Sequence, residues 1–95
     1  MADSLPTLEL LEAQHSFPCE YTFKVIGAGS LDLETAVAAC VRATLALDAD
    51  PKTSVRTTVG GRHQSVTVEP VCPSARSVLD LYAALRALDG VMFLF

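Results

Sequence analysis

The sequence predicts an α+β fold: one four-stranded antiparallel sheet with two helices on one of its faces. Three observations carry this. The stretch Tyr21 to Ile26 alternates as a strand does, entered through Pro18 and left through Gly27. Two stretches with apolar residues at helical spacing flank a Gly60-Gly61 hairpin signal. The chain closes on the apolar run Val91-Met92-Phe93-Leu94-Phe95. At 95 residues the chain suits one domain. About half of the residues are apolar and 19% are charged, the balance of a packed globule.

The elements follow in order. Ser4 to Ala13 reads as a short helix, with Ser4 or Thr7 as its cap and Leu8 and Leu11 on one side. It is too short to stand alone and must dock. Residues 1–16 are therefore an N-terminal extension, and 17–95 are the domain. In the strand Tyr21–Ile26, Tyr21, Phe23 and Val25 share one face, and Thr22 and Lys24 the other. Pro18 cannot donate to a ladder, so it belongs at the entrance. Gly27 and Gly29 free the backbone to turn before the next helix.

That helix begins at Ser30, a good N-cap, with Asp32 and Glu34 near its positive end. Leu33, Val37, Cys40, Val41, Thr44 and Leu45 form its stripe. Pro51 pushes the residue before it out of the helical region and so ends the helix. Thr53–Val59 and Arg62–Glu69 alternate on either side of Gly60-Gly61. A two-residue loop pairs Thr57 with Gln64 and Val55 with Val66. Val55, Val66 and Val68 then face the core. Ser54, Arg56, Thr58, His63, Ser65, Thr67 and Glu69 fall on the polar face, and that partition supports the register. Ser74 caps a second helix with stripe Val78, Leu81, Tyr82, Leu85 and Leu88, which Gly90 stops. Val91–Phe95 is the last strand.

The order is β-α-β-β-α-β. Right-handed crossovers make the first two strands parallel, with the third inserted antiparallel between them. The expected sheet order is 4-1-3-2, a ferredoxin-like split β-α-β. Tyr21, Phe23, Val25, Val55, Val66 and Val68 should lie beneath both helices.

Phe17-Pro18, the run Tyr21-Thr22-Phe23-Lys24-Val25-Ile26-Gly27, and the segment from Gly60 to Val68 resemble the YbeD-like family of small bacterial proteins. So do Tyr82-x-x-Leu85 and Gly90-Val91-Met92-Phe93-Leu94. The resemblance covers about residues 8–95. It implies a ferredoxin-like fold similar to the ACT regulatory domain, and no particular chemistry.

Four regions are candidate sites. Free N–H groups in Gly27-Ala28-Gly29-Ser30 could hold a carboxylate or phosphate. The resemblance to ACT-type domains makes this loop a place for a small metabolite. The competing reading is an ordinary strand-to-helix turn. Lys24, Arg56, His63 and Ser65 could converge on the polar sheet face. Nucleic-acid binders of this topology stack bases on aromatics there, whereas Tyr21 and Phe23 fall on the core face. A net charge of −4 also disfavours phosphate backbones, so no nucleic acid is expected. Cys19 enters the first strand and Cys72 leaves the third, its antiparallel neighbour. The two thiols therefore belong at one end of the sheet, as a thiol pair or as two separate reduced thiols. Cys40 sits on a core stripe. Three cysteines at wide spacing make no secreted disulfide framework and no zinc motif.

His15 and His63 have no nucleophile or carboxylate set in view, so an enzyme is not expected, nor a metal or other cofactor. No basic region followed by an apolar run opens the chain, and no apolar run approaches the ~20 residues of a membrane span. A cytoplasmic protein that does not enter membranes is the expectation.

The last strand carries no polar position. With Val91, Phe93 and Phe95 inward, Met92 and Leu94 are exposed; the reverse parity exposes the aromatics. An apolar edge needs a cover. Leu8 and Leu11 of the first helix offer one, and a second copy of the chain offers another. The expectation is a homodimer through this strand with the N-terminal helix contributing. The reading of the whole is a regulatory or protein-interaction module. Its rival is a small enzyme or thiol redox protein using the Gly27–Ser30 loop or the Cys19/Cys72 end.

Overall fold

The structure, a computed structural model, describes residues 5–95. Ser4 lies outside them, and the first helix, α1 (Leu8–Gln14), is capped by Thr7, whose Oγ1 accepts from the Leu10 amide at 3.1 Å. The remaining elements are β1 (Cys19–Glu20), β2 (Phe23–Ala28), α2 (Leu33–Leu45), β3 (Thr53–Thr57), β4 (His63–Val68), β5 (Val71–Cys72), α3 (Ala75–Arg86) and β6 (Val91–Leu94). The chain is α+β, with a four-stranded antiparallel sheet in the order β3-β4-β2-β6 and a two-stranded ladder β1-β5. Counting the four long strands by sequence, the order is 4-1-3-2.

The long strand expected at Tyr21–Ile26 is shifted and split. The break coincides with Pro70. The Tyr21 amide donates to the Pro70 carbonyl at 3.0 Å, and Pro70 has no N–H to return. On either side the register is the same: stepping four residues outward from Phe23↔Val68 reaches Cys19↔Cys72. The two-stranded sheet is thus the continuation of the β2–β4 ladder past a proline.

Phe23, Val25, Val66 and Val68 are fully buried on the face beneath α2 and α3. They pack with Leu33, Val37 and Val41 of α2 and with Val78, Leu81 and Leu85 of α3. Two expected members of this layer depart from it. Tyr21 is half-buried in an aromatic cluster, edge-to-face with His15 and Tyr82 and tilted against Phe23. Val55 lies opposite Val66 as expected, yet is 43% exposed. Its strand β3 is the edge of the sheet: α2 reaches its first residue, where the Thr53 hydroxyl donates to Glu34 at 2.8 Å, but leaves Val55 uncovered. The hairpin pairs Thr57 with Gln64, but Val59 projects fully into solvent beyond the ladder.

Helix boundaries also move. Asp32, not Ser30, caps α2: its carboxylate accepts from the Thr35 amide at 3.4 Å. The helix ends before Pro51 is reached, at Ala46 in the left-handed region with φ 54°. Ser74 caps α3 as its sequence indicates, in a reciprocal box with Ser77. That helix stops at Ala87, and Gly90, at φ 83°, turns the chain into β6.

Leu11 of α1 is buried in the main core, and α1 packs against α3. The docking surface of the first helix is therefore α3. Met92, Phe93 and Phe95 remain 51%, 56% and 62% exposed. Neither regular parity of β6 is realised. Ile26 faces Phe93 while the next residue, Gly27, faces Val91, so Met92 is the extra residue of a bulge. The bulge turns Val91 and Leu94 toward the core and leaves both phenylalanines outside.

Candidate functional site

In the first candidate, the Gly27–Ser30 loop, the Gly29 amide and the Ala28 carbonyl are engaged. Gly27 is not in a turn but in β2, buried, opposite Gln64 and beside Val91. Its glycine identity follows from crowding: a Cβ there would lie 2.6 Å from the Gly90 carbonyl oxygen. Gly29 donates its amide to the Arg62 carbonyl at 2.8 Å. A Cβ at Gly29 would overlap the Gly61 carbonyl, so the β3–β4 hairpin loop closes directly over this segment. Gln64, one of the few buried polar residues, sends its side-chain amide to the carbonyls of Ala28 at 2.8 Å and Leu31 at 2.6 Å. One amide group thus satisfies two loop acceptors. Sequence reading missed Gln64. Its signal is parity, which puts a polar residue on the core face next to Val66.

The second candidate is the open face of the sheet, opposite the helices. Register places Lys24, Thr67 and Ser54 in one row and Ile26, Ser65 and Arg56 in the next. A shallow depression of about 290 Å³ lies among Lys24, Ser54, Val55, Arg56, Ser65 and Thr67. His63 belongs to the row beyond, opposite Ala28, at the hairpin end. On β6, Phe93 pairs with Ile26, and Phe95 exchanges both backbone hydrogen bonds with Lys24 at 2.9 Å. The phenylalanines therefore extend the same two rows. At the far corner Lys52 and Glu69 approach to 3.7 Å. Among the described residues, neither Lys24 nor Arg56 has an ion-pair partner. In a chain of net charge −4, this face carries an excess of positive charge. Placing the aromatics on the core face alone was incomplete: Tyr21 and Phe23 lie there or at its margin, while β6 brings two more to the open face.

The third candidate is the pair Cys19 and Cys72, directly opposite one another in the β1–β5 ladder. Cys72 is fully buried, and Cys19 is half-buried. Burial pushes the Cys72 thiol up to about 11; nearby Cys19 adds to this, and a hydrogen bond with Ser77 opposes it. Burial also raises the Cys40 thiol, against a hydrogen bond from Thr44. Of the two histidines, His15 packs on Phe17 and Tyr21, far from His63 at the hairpin. Among the described residues no helix is long and apolar enough to cross a membrane.

The family described as "Protein of unknown function (DUF493)" matches residues 12–95, from α1 to the end of the chain. A UPF0250 protein of Pasteurella multocida is 33% identical over 75 residues, covering 79% of this chain and 83% of that protein. A UPF0250 protein of Shewanella woodyi is 34% identical over 83 residues, 87% of this chain and 88% of its own length. Another, from Shewanella amazonensis, is 35% identical over 75 residues, again 79% and 83% of the two chains. The family match spans all four strands of the main sheet and both long helices, and the relatives cover most of the chain, so the chain belongs to the DUF493 family of unknown function, the YbeD-like family that its sequence resembles.

Proposed function

We propose that this chain is a non-enzymatic interaction module of the ferredoxin-like, ACT-like kind, and that a second copy of itself is its partner. The observation that carries the reading is β6. It is the terminal strand of the sheet, and it holds Phe93 and Phe95 outside the core beside Lys24. Lys24 and Phe95 form a hydrogen-bonded pair, so by alternation the N–H and C=O of Leu94 point away from β2. An antiparallel copy of β6 satisfies those groups. The twofold axis then brings four phenylalanines together across the joined edge. The opposite edge, β3, is protected differently, by the exposed charges of Lys52 and Arg56 and by the hairpin.

The strand order and the helices packed on one face support the ferredoxin-like reading. A ligand at the Gly27–Ser30 loop draws little support from its geometry, because the Gly29 amide already donates to Arg62 and the Leu31 amide to Ala28. The depression beside Lys24 and Arg56 has the better chemistry for a small anion.

The test is light scattering on the full chain from about 10 to 500 μM, the range that spans a typical weak-to-moderate dimer. A concentration-dependent dimer is expected. The double variant Phe93→Lys, Phe95→Lys should be a monomer with unchanged circular dichroism. A wild-type monomer throughout, or a dimer indifferent to both substitutions, would overturn the reading.

A further inference from the structure

We infer that Cys19 and Cys72 are an oxidation site, a dithiol that closes to an intramolecular disulfide in the folded protein. The inference rests on register and burial, and is independent of self-association through β6.

Cys19 and Cys72 are mutual partners in an antiparallel ladder. The hydrogen bond from the Tyr21 amide to the Pro70 carbonyl fixes the alternation. Two residues further out, Cys19 and Cys72 occupy a hydrogen-bonded pair, with Cα atoms about 5.5 Å apart. That separation lies inside the range of about 4.4–6.8 Å that disulfides span. Directly opposed side chains leave a ladder on the same face. Here it is the core face, since Cys19 shares parity with Phe23, and Cys72 with Val68. Cys40 lies on α2 and is not part of the ladder.

Burial assigns the two thiols different roles. Cys19 is half-buried and Cys72 has no exposed surface, so a reagent reaches Cys19 first. With a low-molecular-weight disulfide as oxidant, the Cys19 thiolate attacks one sulfur, the S–S bond breaks, and one small thiolate leaves. Cys72, after losing its proton to solvent, attacks the Cys19 sulfur of the mixed disulfide and expels the second small thiol. Two protein thiols are oxidised, and one external disulfide is reduced to two thiols. The high pKa of Cys72 slows the second step, so the mixed disulfide at Cys19 should be a visible transient. The closed bond encircles β2, α2, β3 and β4, which restricts the unfolded chain and stabilises the fold.

The experiment uses the full chain carrying Cys40→Ala, equilibrated with graded ratios of oxidised to reduced glutathione. Acid quenching, alkylation, intact mass and peptide mapping follow. The expected product is a Cys19–Cys72 linked peptide with the protein mass lowered by about 2 Da, the two hydrogens lost on forming the bond. The melting temperature of that species should rise by about 5 °C or more. Cys72→Ser should stop at the Cys19 mixed disulfide, and Cys19→Ser should leave Cys72 unmodified. Two free thiols, or a lasting mixed disulfide, in the Cys40→Ala chain under excess oxidised glutathione would overturn the inference. So would a bond that forms only in urea.

Discussion

At the scale of the residue, Gln64 does the most for its size. Its side-chain amide donates to the carbonyls of Ala28 and Leu31, and so pins the segment between β2 and α2. The hairpin presses on that segment from the other side through the hydrogen bond between Gly29 and Arg62. Replacing Gln64 with Leu keeps the volume and leaves both carbonyls without their buried partner. Each loss of this kind costs about 1–3 kcal/mol. Gln64→Leu should therefore lower unfolding free energy by about 2 kcal/mol or more in urea. A variant within experimental error of wild type would show that water takes over both bonds. The glycines here are governed by the same contacts. Neither Gly27 nor Gly29 has a positive φ, and both are glycine because backbone from elsewhere lies where a side chain would be.

At the scale of the element, the start of α2 separates two residues that look equivalent in sequence. Ser30 and Asp32 are both good N-caps, and the helix could have begun after either. The helix starts at Leu33, and Leu33, Val37 and Val41 form its buried stripe. Starting it two residues earlier would add Leu31, which is 41% exposed and packs near Gly90 instead. Asp32→Ala should cost about 0.5–1 kcal/mol, the usual value of an exposed cap. Ser30→Ala should stay within about 0.5 kcal/mol of wild type, as an exposed substitution outside any special contact does. Thermal melts of the two variants side by side measure the difference; equal losses would mean that the cap alternates between the two residues. In β6 the deciding feature is the bulge at Met92, which lets one short strand turn Val91 and Leu94 inward and Phe93 and Phe95 outward.

At the scale of the whole molecule, the core holds two weak acids in their neutral forms. Burial pushes Cys72 up to about 11 from 9.0. Burial also raises the Tyr82 phenol above its ordinary 10.0, with the hydrogen bond to Tyr21 and the charge of Tyr21 acting in the same direction. Both groups have folded pKa values above their unfolded ones. The Cys72 contribution is lost as pH rises from 9 through 11, and the Tyr82 contribution starts to be lost only as pH rises past 10, because in each case the unfolded chain ionises first. Under reducing conditions, the urea midpoint should be level between pH 7 and pH 8.5, which lie below both titrations, and should fall above pH 9. In Tyr82→Phe the part of the decline that begins near pH 10 should disappear. An unaltered alkaline slope in that variant would assign the effect to other groups.

What the sequence determined by itself is local and periodic. Alternation in three strands, two helical stripes and the Gly60-Gly61 turn are enough to derive the strand order and the pairing of Val55 with Val66 and Thr57 with Gln64. Ser74 is legible as a cap because its partner Ser77 lies within the same turn. The nearness of Cys19 and Cys72 follows from strand direction alone. What the tertiary structure decided depends on residues distant in the chain. Val55 is exposed because β3 lies at the edge, where α2 reaches Thr53 through Glu34 but leaves Val55 uncovered. The polar side chain of Gln64 is tolerated on the core face because two loop carbonyls come to meet it. The outward turn of Phe93 and Phe95 comes from a one-residue slip between β2 and β6, placed where Gly27 and Gly90 approach. Side-chain parity is readable along an unbroken strand, but a bulge reverses it, and a bulge is set by the neighbouring strand rather than by the residues it turns.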